Sequence, residues 1–412
     1  MTNFSHTPIV VDQRADVKLP KGWEWVSLPD VARLESGHTP SRNIEAYWGG
    51  DVCWLSLKDI KTLDSKYVTS TVDRPTMEGI DNSSARILPK GTVAFCRTAS
   101  VGKVAILGLD MATSQDFVNW VCGPRILPDY LYYAFRSSAA EFDRLKQGTT
   151  HKTIYMPVAE RFTVLLPPLT EQRRITAILD KADAIRRKRE EGIRLTEELL
   201  RSTFLDMFGD PAINPKGWPI VTVDQLVSET QYGTAQKANA EGTGIPVLRM
   251  NNITYSGELD LVDMKWCDIA KADIPAYTVR KGDLLFNRTN SPELVGKTAV
   301  WDRDESYAFA GYLIRVRFDE VRVLPDYVSA YLNSDYGKKL LFARAKPSNN
   351  MSNLSAGELR RIPLPVPDLK RQREFARAVL KCRSLKIQRQ AALACSGSLF
   401  DALVQRAFRG EL

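Results

Sequence analysis

The chain has 412 residues, enough for two domains of about 150 to 200 residues, each with its own core. Its 44% hydrophobic and 26% charged residues suit a globular protein, and it has neither an apolar run near the roughly 20 residues of a membrane helix nor a signal-peptide core, so a cytoplasmic location is expected. Six scattered cysteines without a CxxC pair and only three histidines argue against a zinc site or a His-based triad, and a net charge of +8 points to a polyanionic partner without identifying it.

Residues 1–19 read as an N-terminal extension. A first globular segment over 20–168 opens on Pro20, Lys21, Gly22 and Trp23. A polar turn follows at Gly37, His38, Thr39, Pro40 and Ser41, and an apolar stretch ends in Leu57, Lys58, Asp59 and Ile60. A Lys90-Gly91 turn then leads into a predicted strand, Thr92 to Cys96. Its polar tip is Arg97, Thr98, Ala99 and Ser100, followed by Val101, Gly102 and Lys103. A late polar loop, Gly148, Thr149, Thr150, His151 and Lys152, precedes a Pro-rich exit at Leu166 to Pro168.

From 169 to 214 the architecture changes to a helical spacer. Ile175, Leu179, Ala182 and Ile185 fall at helical spacing, and Leu199, Leu200, Phe204 and Met207 resume the stripe before Gly209 stops the helix. The basic run Arg186 to Arg189 sits beside Glu190 and Glu191, which reads first as a solvated helix face and second as a contact to a partner.

The segment 215–367 repeats the first, with an offset of about 195 residues. Pro215, Lys216, Gly217 and Trp218 return, and Met250 to Ile253 answer Leu57 to Ile60. The strand Asp283 to Asn287 ends in the tip Arg288, Thr289, Asn290 and Ser291, followed by Lys297 in a second Val-Gly-Lys. Leu324, Pro325, Asp326 and Tyr327 repeat Leu127 to Tyr130, and the late loop offers Lys346, Ser348, Asn349 and Asn350. A second spacer, 368–412, carries Phe375, Val379, Cys382, Leu385, Leu399, Leu403 and Phe408 at helical steps and stops at Gly410.

A helix of about 40 residues is roughly 60 Å long and should project and pair rather than pack inside one small domain. Two such helices, each following a globular half, most simply dock as an antiparallel coiled pair. A tandem duplication on such a frame can present two similar surfaces about an approximate two-fold axis, matching the local symmetry of duplex DNA. Because the polar residues between the repeated anchors differ, the two surfaces should read different sequences, making the target split and asymmetric.

The chain resembles the specificity subunit of type I restriction-modification systems from about Pro20 to Leu412. The resemblance rests on the paired Pro-Lys-Gly-Trp starts, the Gly37 to Pro40 motif followed by Tyr47, Trp48 and Gly49, the exit Pro167 to Gln172, and the ending Leu403 to Leu412. The second half departs from the pattern at Gly233, which is followed by Thr234 and Ala235 without proline. The resemblance implies an α/β (α+β) protein with two mixed α/β target-recognition domains in a pseudo-two-fold arrangement, separated by two long antiparallel coiled-coil helices. It further implies double-stranded DNA, two methyltransferase (modification) subunits and restriction/translocase subunits as partners. No cofactor is expected in this chain, and S-adenosylmethionine, ATP and Mg are expected on the partners.

For DNA contact the leading candidates are Arg97 and Arg288, since arginine can donate two hydrogen bonds to a guanine edge; a phosphate contact or a structural ion pair is the alternative. Thr98, Ser100, Thr289, Asn290 and Ser291 share their tips. Lys103 and Lys297 suit phosphates or a plain solvated surface. His38, Thr39, Ser41, Lys58, Thr234, Arg249, Asn251 and Asn252 form earlier polar loops, and Thr149, Thr150, Lys152, Lys346, Ser348, Asn349 and Asn350 form late ones. Trp23 and Trp218 read as packing anchors. Gly296-Lys297-Thr298 lacks the upstream glycine of a phosphate-binding loop, and no Asn-Pro-Pro-Tyr or Asp-Pro-Pro-Tyr methylase segment occurs. Asp59 to Lys61 and Asp263 to Lys265 only weakly resemble nuclease triplets. The competing class is a stand-alone DNA-cleaving or DNA-methylating enzyme.

Overall fold

The computed structural model describes residues 19–147, 152–348 and 351–412. These form two compact units, one of the described residues up to 190 together with 391–412 and one of those within 191–390. The division does not follow the linear order of domain and spacer, because each unit takes half of each long helix.

In the first unit the chain enters on Glu24–Ser27, which pairs antiparallel with the exit strand Thr163–Leu166. The central sheet runs, in spatial order, Ala32–Ser36, Phe117–Cys122, Val93–Cys96, Val104–Leu107 and Tyr67–Val68, with only the last pairing parallel. The predicted strand after Lys90-Gly91 is its centre, an uninterrupted apolar run buried on both faces. Helix Pro128–Ser137 starts with proline in its first turn and buries Tyr130, Leu131, Tyr133 and Phe135.

The second unit repeats this plan. Ile220–Thr222 pairs with Pro363–Pro365, and a four-stranded sheet runs Val227–Tyr232, Leu313–Phe318, Leu284–Asn287 and Thr298–Val300. Helix Pro325–Asn333 takes the place of Pro128–Ser137. One glycine in each unit permits a close crossing of loops: a Cβ on Gly37 would lie 1.9 Å from the Ser114 carbonyl oxygen, and one on Gly233 would lie 2.2 Å from that of Ala310.

The two long helices are α1 (Leu169–Phe208) and α2 (Leu369–Ala407). Within the first unit, Ile175 and Leu179 of α1 and Phe400, Val404 and Ala407 of α2 enter the same core as Trp120, Phe135 and Phe162. Within the second, Phe204 and Phe208 of α1 meet Phe375 and Val379 of α2 beneath Tyr327 and Tyr331. Arg174 near the start of α1 donates to Leu412 O, and Arg189 further along it donates to Ala392 O and Ser396 Oγ, so this pairing is antiparallel. The second unit makes the mirrored contact, Arg389 to Gly192 O.

Gly209 ends α1 at φ +82°, as the spacing predicts. Helix α2 instead ends at Ala407, before Gly410, because the last residues turn to bond Gly410 N to Ala407 O and Glu411 N to Arg406 O. The periodic stripes also need correction. Ile185, Leu199 and Leu399 are exposed, since neither a recognition domain nor the other helix covers that face within their units. No helix among the described residues is long and apolar enough to cross a membrane.

Candidate nucleic-acid interface

The two arginine tips are built alike. Arg97 N donates to Asp116 O at 2.8 Å, and its carbonyl accepts from Ile154 N at 2.9 Å; Arg288 N donates to Tyr312 O at 3.0 Å, and its carbonyl accepts from Leu354 N at 2.8 Å. Each tip is thus held between a loop after the central strand and a segment just past the late loop. The side chains repeat the scheme: Arg97 Nε donates to Gln115 O at 3.0 Å, and Arg288 Nη1 lies 3.5 Å from Gly311 O with its guanidinium 5.1 Å from the Tyr232 ring. Both arginines are part-exposed and hydrogen-bonded to carbonyl oxygen rather than carboxylate, which leaves their positive charge unneutralised at these contacts.

The tips bring together candidates distant in sequence. In the second unit Thr289–Asn290 pairs with Met351–Asn353, which also pairs with Lys346–Ser348, so the tip and both arms of the late hairpin form one small sheet. Lys346 is exposed on it, and Ser348 lies in the same strand. In the first unit Thr98 and Gln147 both bridge Thr153, which places exposed Lys152 beside the tip. Thr149, Thr150, Asn349 and Asn350 lie outside the described residues. Thr39 donates to the Gln115 side chain, and the Gln115 carbonyl holds Arg97, so the His38 to Ser41 turn adjoins the same tip. His38 Nε2 is 2.8 Å from Ser36 Oγ, and its carbonyl accepts from Trp54 Nε1 at 3.0 Å. Ser100 and Ser291 hold turn backbone, Ser100 N donating to Thr98 O and the Ser291 carbonyl accepting from Leu294 N and Val295 N. The Asn290 side chain accepts from Ser291 N at 2.9 Å.

Several candidates have structural partners instead. Lys297 is only 7% exposed, and its amine donates to Ile253 O at 2.6 Å and Met250 O at 3.1 Å. Burial pushes this amine below its usual pKa. Lys103 makes the equivalent contacts, to Ile60 O at 3.1 Å and Lys61 O at 3.0 Å, but stays exposed. Both lysines satisfy carbonyls at the end of a short helical turn, Leu57–Thr62 or Met250–Asn252. Thr234 is buried and accepts from Gln236 N, because Gly233 carries the chain under the Phe309 to Ala310 segment. Asn252 is buried with its amide bonded to Arg249 N, Asp260 O and Asp263 O. Thr289 is buried with its hydroxyl on Asn353 Oδ1 at 2.5 Å. In this conformation none of these buried side chains is presented to a ligand.

An acidic residue in each unit organises the remaining basic side chains. Asp73 accepts from Arg42 at 2.8 Å and from Lys58 at 3.1 Å, and Asp263 accepts from Arg249 at 2.9 Å and from exposed Asn251 at 3.2 Å. The Arg42 hydrogen bond, against a smaller opposing effect of burial and helped by Lys58, holds the Asp73 carboxyl below the usual range. The hydrogen bond from Arg249 does the same for Asp263. Arg42 also stacks 3.6 Å from the centre of the Trp48 ring, whose Nε1 donates to Ser41 O at 3.0 Å. Trp48, which the sequence offers only as part of the motif after Pro40, joins this surface, as do Arg42, Gln115 and Tyr232, which are not among the sequence candidates; their signal is a basic residue and aromatics interleaved next to the two glycine turns.

Asp59 of the first Asp-x-Lys triplet is occupied in a capping box with Ser56, and Asp263 of the second is engaged as described. Among the described residues no group of three or more His, Cys, Asp or Glu side chains could hold a metal ion. What the two surfaces offer is hydrogen-bond donors and positive charge set on rigid strand ends.

The sequence profile described as "Type I restriction modification DNA specificity domain" matches residues 20–195 and again 215–388. Among curated proteins, the specificity subunit of the type I restriction enzyme MjaIX from Methanocaldococcus jannaschii is 27% identical over 287 residues, covering 60% of this chain and 64% of that protein. The specificity subunit of EcoKI from Escherichia coli K12 is 24% identical over 423 aligned positions, covering 96% of this chain and 90% of that one. Among solved structures, a chain from a study of the assembly and conformational transition of a type I restriction-modification system superposes with a TM-score of 0.57 at 21% identity, over 96% of this chain and 100% of that one. The S subunit from M. genitalium gives 0.55 at 15% identity over 98% and 99%. These structural likenesses speak to the fold.

Proposed function

Because the chain belongs to the type I restriction modification DNA specificity family, we propose that it is the subunit that reads DNA sequence for a type I complex, each unit recognising one half of a split, asymmetric target. The observation that carries this reading is the twice-built arginine tip: one backbone frame, two different sets of neighbouring side chains. Arg97 works with Thr39, Thr98 and Lys152, while Arg288 works with Tyr232, Asn290 and Lys346. Backbone-bonded guanidinium groups at strand ends suit base edges or phosphates, and surrounding hydroxyl and lysine groups suit phosphates.

The long helices are the scaffold for the other subunits. Exposed Ile185 and Leu399 in the first unit, and Leu195, Leu199, Leu205, Leu380 and Ile387 in the second, are apolar side chains on these helices that a methyltransferase or restriction subunit would cover. Methyl transfer with S-adenosylmethionine, and ATP- and Mg-dependent translocation and cleavage, then belong to those partners, and this chain contributes recognition and the scaffold.

Co-expressing the full chain with its modification subunits in a host without a type I system, then mapping methylated bases by single-molecule sequencing, tests the proposal. The expected result is one motif of two unlike specific parts separated by unspecified bases. A single uninterrupted motif, or methylation by the chain in the absence of any partner, would contradict it.

A further inference from the structure

The two units share a fold but seat their globular part on the helices with opposite charge. In the first unit the helix supplies acids and the domain supplies bases. Lys66 of the domain, 7% exposed, bonds Asp180 of α1 at 2.6 Å and domain residue Asp129 at 2.5 Å. Tyr133 Oη donates to Asp180 at 2.7 Å and Tyr67 Oη to Asp129 at 2.6 Å, so the ammonium is enclosed by carboxylates and phenols. Nearby, Arg136 of the domain lies 3.6 Å from buried Asp183 of α1, which also takes Arg186 and Arg187 from its own helix.

In the second unit the helices supply the bases. Arg383 of α2 reaches Asp302 at 3.1 Å and Asp326 at 3.7 Å, both in the domain. Lys386 of α2 bridges domain residue Glu258 and Glu197 of α1, and Arg201 of α1 pairs with Asp335 of the domain. Asp129 and Asp326 occupy the same place in the repeated Leu-Pro-Asp-Tyr turn, yet the cation for the first comes from the domain and that for the second from the helix. Asp183 and Arg383 likewise fall at matching positions after Gln172 and Gln372 and carry opposite charge.

We infer that the two helix seats are docking surfaces of opposite polarity, each admitting only a recognition domain whose facing edge carries the complementary charge. Enclosed like charges are costly, whereas a paired set is tolerated, so the polarity discriminates between otherwise similar domains. A domain taken from a related chain would be accepted at the α1 seat of the first unit only with cations matching Lys66 and Arg136. The α2 seat would accept one only with acids matching Asp302, Asp326 and Glu258. Lys66, Asp180 and Arg383 are positioning residues that act on DNA reading through the domain they hold.

The inference rests on the proposed function only for its second readout, and a charge-reversal cycle on the full chain with its modification subunits tests it. Asp180→Lys should lower the Tm of the first unit by roughly 5 to 15 °C and reduce methylation by about tenfold or more. Lys66→Glu alone should also destabilise, and Lys66→Glu combined with Asp180→Lys should recover part of both losses, the remainder reflecting the new carboxylate's repulsion from Asp129. If Asp180→Lys fails to fold, a folded double variant still supports the inference and an unfolded one overturns it. Single-variant behaviour equal to wild type, or losses that simply add in the double variant, would also overturn it. A wild-type complex that yields no two-part motif would instead defeat the proposed function, leaving the melting cycle to decide the seats.

Discussion

The sheets of the two units share their strand pairing but not their interior chemistry. In the second unit Arg315 is 1% exposed and lies with Arg317, Asp283 and Glu229 in one ion network. Arg317 donates to Asp283 at 2.7 Å and to Glu229 at 2.7 Å. At the matching places the first unit has Asn119, Val121, Thr92 and Arg33, and there buried Asn119 donates to Thr113 Oγ1 at 2.8 Å. The frame is therefore fixed by backbone pairing and the aromatic core, and it tolerates either a neutral or a charged centre when every charge is paired. That tolerance is what lets a duplicated domain diverge on its surface without losing its fold.

The comparison can be broken most strongly at Asp283. Asp283→Thr, which gives the second unit the residue of the first, removes the carboxylate that Arg317 bonds at 2.7 Å and leaves Glu229 alone to balance Arg315 and Arg317, so it should cost about 3 to 5 kcal/mol in the second unit. Thr92→Ala in the first unit loses the hydrogen bond to Pro89 O and one buried methyl and should cost about 1 to 2 kcal/mol. Denaturation followed by hydrogen exchange, which resolves the two units, checks both values; equal costs would show that the two interiors are not energetically distinct. A smaller effect sharpens the comparison at the surface. Arg97→Ala and Arg288→Ala should each relax discrimination in one half of the target by about 1 to 3 kcal/mol and leave the other half alone. Binding to duplexes carrying single-base changes measures this, and uniform weakening on every sequence would mark phosphate contacts instead.

Much of the architecture was readable from the repeat. Gln172 and Gln372 follow the two Pro-rich exits at matching places in the sequence, and their role is set by the fold. Each carboxamide ties its helix back to the domain, Gln172 accepting from Leu127 N at 2.9 Å and Gln372 from Leu324 N at 2.7 Å. The sheet explains why Arg97 and Lys152, or Arg288 and Lys346, belong together, a link that rests on pairing between segments far apart in sequence. Lys297 differs from a solvated surface lysine because it is buried against helix-end carbonyls, whereas Lys103 makes the equivalent contacts and stays exposed. Helical periodicity could not tell which apolar residues stay uncovered, and in the middle of the pair polar contacts through Arg189 and Arg389 replace apolar ones.

The most direct measurement is the methylation motif of a complex in which residues 20–168 are replaced by the same region of a relative with a known target, chosen to keep cations at the places of Lys66 and Arg136. Independent reading by two units predicts that one part of the motif changes to the relative's sequence while the other part and the gap stay as they were. A change in both parts, or in neither, would contradict it.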